Sequence, residues 1–303
     1  MRKYVLILGI LLPIIAFADC DTTGKCVWDC SPKGKTNTCT ATFENGTLTI
    51  SGTEMRNYNS KCCDGNTTYA TTNAPWNDEA GHLKQITNVV IGPEMQNLGS
   101  AFLMSATNLT HITIPDNITS VGGSAFYHTG LTSVNWPKNL KTVPPATFQY
   151  TSLTDFSSFE GVTTIGNGAF DGAFRSSTGP TTIVIPDTVT KIGMHAFYEN
   201  RFLQTLIISD QVTNIDSKAF DSRITTIYCT GDVNTCKTNV GEAFADKVKQ
   251  AIAKKINGVT YVYDNKGKLI TTSGKRIEKR IYTIDEANAV TKPMGNTVSI
   301  RYR

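Results

Sequence analysis

A solenoid of short parallel strands is what this 303-residue sequence predicts, and three observations carry it. A segment recurs: residues 109–130 read LTHITIPDNITSVGGSAFYHTG, residues 131–152 read LTSVNWPKNLKTVPPATFQYTS, and further copies begin near 86, 153, 181 and 203. The spacing holds, since Leu109, Leu131 and Leu153 are 22 residues apart and Leu203 follows Thr181 by 22. One copy is longer, with an insert near residues 175–180. Most copies carry a short apolar alternation, as at Ile112 and Ile114, closed by Pro-Asp or a similar stop. Self-similarity at a period of about 20–29 residues is the signature of a leucine-rich solenoid.

Each part of the repeat has a physical role. Ile112 and Ile114 are two apart and share one face of a strand. Pro115 has no N–H and Asp116 favours turns, so the strand stops there. Ile118 and Val121 face back inward, Gly122 is read as allowing a bend, and Ala125–Phe126 closes the coil. One coil buries its apolar residues on one side only. Stacking supplies the stability through neighbour interfaces.

The pattern L-x-x-I-x-I-P-D-x-V-x-x-I-G-x-x-A-F resembles the BspA-like (Treponema pallidum-type) leucine-rich repeat family. The pairs Ala101–Phe102, Ala125–Phe126, Ala169–Phe170, Ala196–Phe197 and Ala219–Phe220 carry the match, with Thr147–Phe148 as a variant. The resemblance covers roughly residues 40–245. It implies a secreted or surface-attached, non-enzymatic protein that binds host or neighbouring-cell ligands, and it supplies no catalytic residues. The expected fold has short parallel strands on the concave face and a mostly irregular convex side.

Taken in order, the chain opens on a secretory signal at residues 1–18. Arg2 and Lys3 form its basic start, Tyr4–Phe17 its apolar run, and Ala16-Phe17-Ala18 a small-residue site for cleavage after Ala18. Asp19 before Cys20 argues against lipid attachment, which wants a small residue there. Secretion to the cell surface or periplasm follows.

Residues 19–85 read as a cysteine-rich N-terminal cap. Thr40–Phe43 and Thr47–Ser51 flank Asn45-Gly46, a hairpin signal that would cover the first coil. Ala74-Pro75-Trp76 should dock there too, and in the family a similar G-T-L-T-I-S-G … P-W segment precedes the repeats. Six of the eight cysteines lie in this region: Cys20, Cys26, Cys30, Cys39, Cys62 and Cys63. Cys26, Cys30, Cys62 and Cys63 could supply four thiolates to zinc, but a secreted chain favours disulfides. The connectivity of the six stays open. Cys229 and Cys236 flank a short turn-rich segment and are expected to pair.

The repeats occupy 86–237. Val240, Phe244, Val248, Ile252 and Ile256 recur every four residues, which predicts a capping helix over 238–258, stopped by Asn257-Gly258. Residues 259–303 read as a basic, β-rich appendage. From Lys247 to Arg303 there are 13 basic and 4 acidic residues, a net +9, against −5 for the rest of the chain. That imbalance makes anionic envelope polymers a candidate partner of the tail. Secretion argues against nucleic acid.

Strand alternation names the outward positions. One column runs Asn88, His111, Ser133, Asp155, Thr182, Thr205 and Thr226. The next runs Val90, Thr113, Asn135, Ser157, Val184, Ile207 and Tyr228. These are the candidate contacts for a protein or glycan on the concave face: His111, Thr113, Ser133, Asn135, Asp155, Ser157, Val184, Ile207 and Tyr228. His111, Ser133 and Asp155 superficially assemble a catalytic triad. With strands about 4.8 Å apart, however, serine sits in the middle and histidine and aspartate are about 9.6 Å from each other, whereas the histidine must bridge the other two. His82, His128 and His195 have no metal-ligand spacing, and no phosphate loop or dinucleotide fingerprint occurs. No cofactor is expected. Val184, Ile207 and Tyr228 form an apolar stripe with two candidate occupants, a partner or the 259–303 appendage folded back over it.

Overall fold

The computed structural model describes residues 19–61, 71–78, 80–174, 179–256 and 259–273. The signal segment, Cys62, Cys63 and residues 274–303 lie outside these. The chain forms a parallel-strand solenoid of about seven turns.

The cap begins with β1 (Asp19–Cys20), β2 (Cys26–Asp29), β3 (Cys39–Glu44) and β4 (Thr47–Gly52), followed by the two-residue β5 (Ser60–Lys61) and β6 (Thr71–Thr72) and one helical turn, α1 (His82–Gln85). β3 and β4 close through Asn45 and Gly46, with Glu44 paired to Thr47. Both turn residues have positive φ, 48° and 77°, which a tight hairpin requires. β4 then pairs in parallel with β7 (Asn88–Ile91), so the hairpin extends the strand row of the first coil. Trp76 is buried against Trp28, Tyr58 and Phe102, and its indole N–H donates to Phe102 O at 3.0 Å. Two bridges, Cys20–Cys26 and Cys30–Cys39, tie β1 to β2 and the end of β2 to β3.

Each coil contributes to two strand rows. After β7 come β8 (Asn97–Leu98), β9 (His111–Thr113), β10 (Ser120–Val121), β11 (Ser133–Asn135), β12 (Thr142–Val143), β13 (Thr164–Ile165), β14 (Thr182–Val184), β15 (Lys191–Ile192), β16 (Thr205–Ile208), β17 (Asn214–Ile215) and β18 (Thr226–Cys229). The second row, β8–β10 and β12–β13–β15–β17, is more regular than the irregular convex side the repeat predicts. Its break between β10 and β12 has a chemical cause. Gly122 N donates to Leu98 O, Gly166 N to Val143 O and Gly193 N to Ile165 O, each one coil back. The third coil has Pro144 at this place, with no N–H to give. The repeat glycine itself serves close approach rather than bending. A Cβ on Gly122 would lie 2.2 Å from Ser100 N.

The third side is a turn row. Ser124, Ala146, Gly168 and His195, with Ala101 before them, all have positive φ, and so do Ser105, His128, Tyr150, Gly172 and Glu199 four residues on. Between these positions Phe126 N, Phe148 N, Phe170 N and Phe197 N each donate to the next coil. Their rings stack at 5.5–5.6 Å from Phe126 to Phe148, Phe170 and Phe197. Phe220 and Phe244 extend the row. The first coil is offset. Leu103 N makes the bond equivalent to Phe126 N, so Leu103 takes the phenylalanine place and Ala101–Phe102 stands one residue out of register. Phe102 packs edge-on to both Trp76 and Phe126.

The expected helix over 238–258 is not formed. Two short helices, α2 (Val233–Val240) and α3 (Glu242–Ala245), are followed by a nine-residue strand, β19 (Val248–Ile256). A spacing of four is a multiple of two as well as close to one helical turn, so Val248, Ile252 and Ile256 satisfy both periods. Tertiary pairing decides: Val248–Gln250 join β18 in parallel, and Ala251–Ile256 join β20 (Val259–Asp264) antiparallel. β21 (Leu269–Ser273) completes the meander. Ile252 is exposed, so the spaced apolar residues do not share one buried stripe. Cys229 and Cys236 are bonded, with Cys236 inside α2 and Asp232 capping that helix through Thr235 N at 2.7 Å.

Candidate functional site

The strand row that begins at β7 presents the outward positions. Ile112 is buried between exposed His111 and Thr113 in β9, and Val134 between Ser133 and Asn135 in β11. Register places Ser133 beside His111 and Asn135 beside Thr113. His111 Nδ1 lies 2.7 Å from Ser133 Oγ, and Nε2 lies 3.2 Å from Thr113 Oγ1. The ring therefore bridges two coils as part of a polar, solvent-facing surface. Asn88 and Val90 of β7 face the same way and are exposed.

At the fourth coil the column breaks. Asp155 and Ser157 do not sit on a strand. Asp155 Oδ1 accepts from Ser157 N at 2.9 Å and Ser157 Oγ at 2.8 Å, and Ser157–Phe159 form a 3-10 turn. A side chain that bonds its own backbone competes with ladder pairing, and the adjacent Phe156 and Phe159 are both drawn into the phenylalanine core. His111, Ser133 and Asp155 thus form no relay: the histidine does not stand between the other two in the coil order.

The apolar stripe beyond that break is occupied by the chain itself. β14, β16 and β18 continue in one sheet through β19, β20 and β21. Ile207 is only 1% exposed and packs with Ala251 and Val262. Val184 and Tyr228 are half-buried against the same cluster, together with Ala253 and Ile270. Ile207 on β16 and Val262 on β20 fall in one buried cluster although β18 and β19 lie between their strands, so the sheet curls over its own concave face. Of the two occupants, the C-terminal strands hold the stripe, and Val184, Ile207 and Tyr228 are not an open ligand surface.

Two groupings had no motif in the sequence. On the turn row, Asp171 is buried and accepts from Gln149 Nε2 at 2.8 Å. Burial, then the nearby Glu199 carboxylate, pushes its pKa up to about 6. In the cap, His82 Nδ1 lies 2.7 Å from Asp78 Oδ2 and Nε2 lies 3.5 Å from Cys26 Sγ. The sulfurs of Cys20 and Cys26 and the His82 imidazole fall within 4.8 Å of one another, a spacing that suits a metal ion. With the two sulfurs bonded to each other the thiolates are spent. Cys26 and His82 are 56 residues apart, so no linear pattern announces them.

Among the described residues no helix is long and apolar enough to cross a membrane. Comparison with known proteins returns the BspA-type leucine-rich repeat region in six copies, over residues 78–173 and 171–249. No curated protein matches. The fold is similar to a leucine-rich repeat protein from Eubacterium ventriosum (22% identity, TM-score 0.43, 80% of this chain and 48% of that one). Another similar structure is a leucine-rich repeat protein from Bacteroides ovatus (19%, 0.33, 66% and 55%). A leucine rich cell surface protein from Faecalibacterium prausnitzii is also similar (18%, 0.24, 67% and 80%). The chain spans about half the length of the first two.

Proposed function

Because this chain belongs to the BspA-type leucine-rich repeat family, we propose that it is a secreted or cell-surface protein that binds a protein or glycan and performs no catalysis of its own. The binding surface is the N-terminal half of the concave face: Asn88, Val90, His111, Thr113, Ser133 and Asn135, with Asp155 and Ser157 at its edge. The observation that carries this reading is the contrast between the two halves. The C-terminal half is closed by the chain's own strands, while the N-terminal half presents exposed side chains that contribute nothing to the core. A repeat family supplies a scaffold, and function resides in the surface grafted on it. Disulfides in both the cap and the last coil support an oxidising compartment, as does the N-terminal basic and apolar segment.

The test is a glycan and protein array probed with residues 19–303, followed by a His111→Glu/Asn135→Arg variant. Loss of the array signal with unchanged thermal stability is expected. Undiminished binding by the variant would remove the concave face from consideration. A second reading rests on the +9 tail, which favours anionic envelope polymers as partners.

A further inference from the structure

The three disulfides among the described residues are not equivalent. Cys30, Cys39, Cys229 and Cys236 are all at most 1% exposed, so two bridges offer no sulfur to solvent. Cys20 is exposed and its partner Cys26 is buried. The buried sulfur, Cys26 Sγ, lies 3.5 Å from His82 Nε2, and Cys20 Sγ is within 4.8 Å of the same ring. His82 is held from two sides. Its Nδ1 meets Asp78 Oδ2 at 2.7 Å, and Asp78 Oδ1 also accepts from His82 N at 3.3 Å. Its ring packs against Trp28 at 5.7 Å and Phe43 at 5.0 Å. The side chain is mostly buried, so the direction of Nε2, toward Cys26 Sγ at 3.5 Å, is fixed by packing. A disulfide sulfur is a poor hydrogen-bond acceptor and gains little from such an arrangement. A thiolate gains a great deal, because an adjacent imidazolium stabilises it and gives it a proton.

We propose that Cys20–Cys26 is a thiol-exchange site, in which Cys20 takes an external thiol as a mixed disulfide and Cys26 leaves as a thiolate received by His82. The step is balanced. The incoming thiolate attacks Cys20 Sγ from the side away from Cys26, and a new S–S bond forms to Cys20. The Cys20–Cys26 bond breaks, its electron pair goes to Cys26 Sγ, and the doubly protonated His82 ring transfers its Nε2 proton there, keeping Nδ1–H on Asp78. The incoming thiol is the reductant. Reversal returns the proton to His82 and expels the thiol. Exchange rate depends on access to the attacked sulfur and on how well the other sulfur leaves. The exposed Cys20 meets the first condition and the His82–Asp78 pair the second. Asp78 is a positioning residue: its carboxylate accepts from Nδ1–H, so the neutral ring turns a bare Nε2 to the sulfur and only the doubly protonated ring carries a proton there.

The experiment incubates residues 19–303 with reduced glutathione at fixed pH, quenches with acid and maps adducts by mass spectrometry over time. Glutathione should appear on Cys20, not Cys26, at least tenfold faster than on any cysteine of the two buried bridges. His82→Gln should slow that adduct by about tenfold, and Asp78→Asn by severalfold. Cys30–Cys39 lies in the same cap and serves as the internal control. A variant that merely loosens the cap accelerates both bridges, whereas loss of the proton donor slows Cys20 alone. A parallel arm with a folded protein bearing one exposed cysteine separates small thiols from protein thiols, and an adduct in either arm supports the site. The proposal is overturned if Cys20 reacts no faster than the buried bridges, if the adduct sits on Cys26, or if His82→Gln leaves the rate unchanged or raises it.

Discussion

Asp171 and Phe148 show how single residues act in a stacked fold. Asp171 sits on the turn row, buried, beside Glu199 and near Asp221. Its pKa is about 6 in the folded protein against an ordinary value of 3.8. An acid with a raised folded pKa binds more protons folded than unfolded, so stability falls as pH rises between about 4 and 6 and levels off above. Asp171→Asn should therefore raise stability at pH 7 by about 1–2 kcal/mol and flatten the melting temperature across that window. Thermal melts of both proteins from pH 4 to 8 check this. A variant that tracks the parent at every pH would assign the slope to other carboxylates. Phe148 stacks between Phe126 and Phe170 at 5.5 Å on each side. Truncation to alanine opens a cavity that neither neighbouring coil can fill without shifting. A loss of about 3–5 kcal/mol is expected in urea titration; a loss under about 1 kcal/mol would mean the ring is not a supporting layer.

At the scale of elements, the C-terminal meander distinguishes this chain from a plain repeat stack. β19 leaves the strand row after Gln250 and, with β20 and β21, curls over Ile207. Residues that look outward in the repeat pattern become an interior. Ile207→Lys should destabilise by about 3–5 kcal/mol, because a charge would be buried without a partner. The equivalent change at exposed Val90 should fall within about 0.5 kcal/mol. Chemical denaturation of the two variants side by side makes the comparison, and equal effects would put Ile207 back on an open surface. The meander also protects the end of the stack, since a solenoid must cover its terminal coil.

For the whole molecule, one hydrophobic core runs from Cys26 in the cap to Val248 in the last coil, so cap and repeats are one packing unit. Charge is divided differently. The first 246 residues carry a net −5 and the remainder +9. Attraction of the basic end to an anionic envelope polymer is screened over about 8 Å at physiological salt. Retention on isolated envelopes should drop by an order of magnitude or more between 50 and 500 mM salt. Retention indifferent to salt would point to covalent or apolar attachment, and a glutathione-sensitive fraction would then direct attention to Cys20.

The 22-residue period by itself determined the architecture. Regular repeats must stack, because Ile112, Ile114 and Phe126 can be buried only against the same positions one coil away. Local signals, independent of the period, determined the capping hairpin at Asn45-Gly46 and the Cys229–Cys236 bridge, since a two-residue turn and a short loop are local matters. Only the tertiary structure decided the rest. Val248–Ile256 became a strand because a spacing of four fits both periods and the free edge of β18 was there to pair with. Asp155 left the polar column because its carboxylate found its own backbone first. The apolar stripe closed because the curl brought Val262 over Ile207, and His82 met Cys26 across 56 residues because a loop of the cap folded back onto β2. Periodicity reports what every coil shares. These features belong to one coil or one end each, and contacts between residues distant in the chain set them.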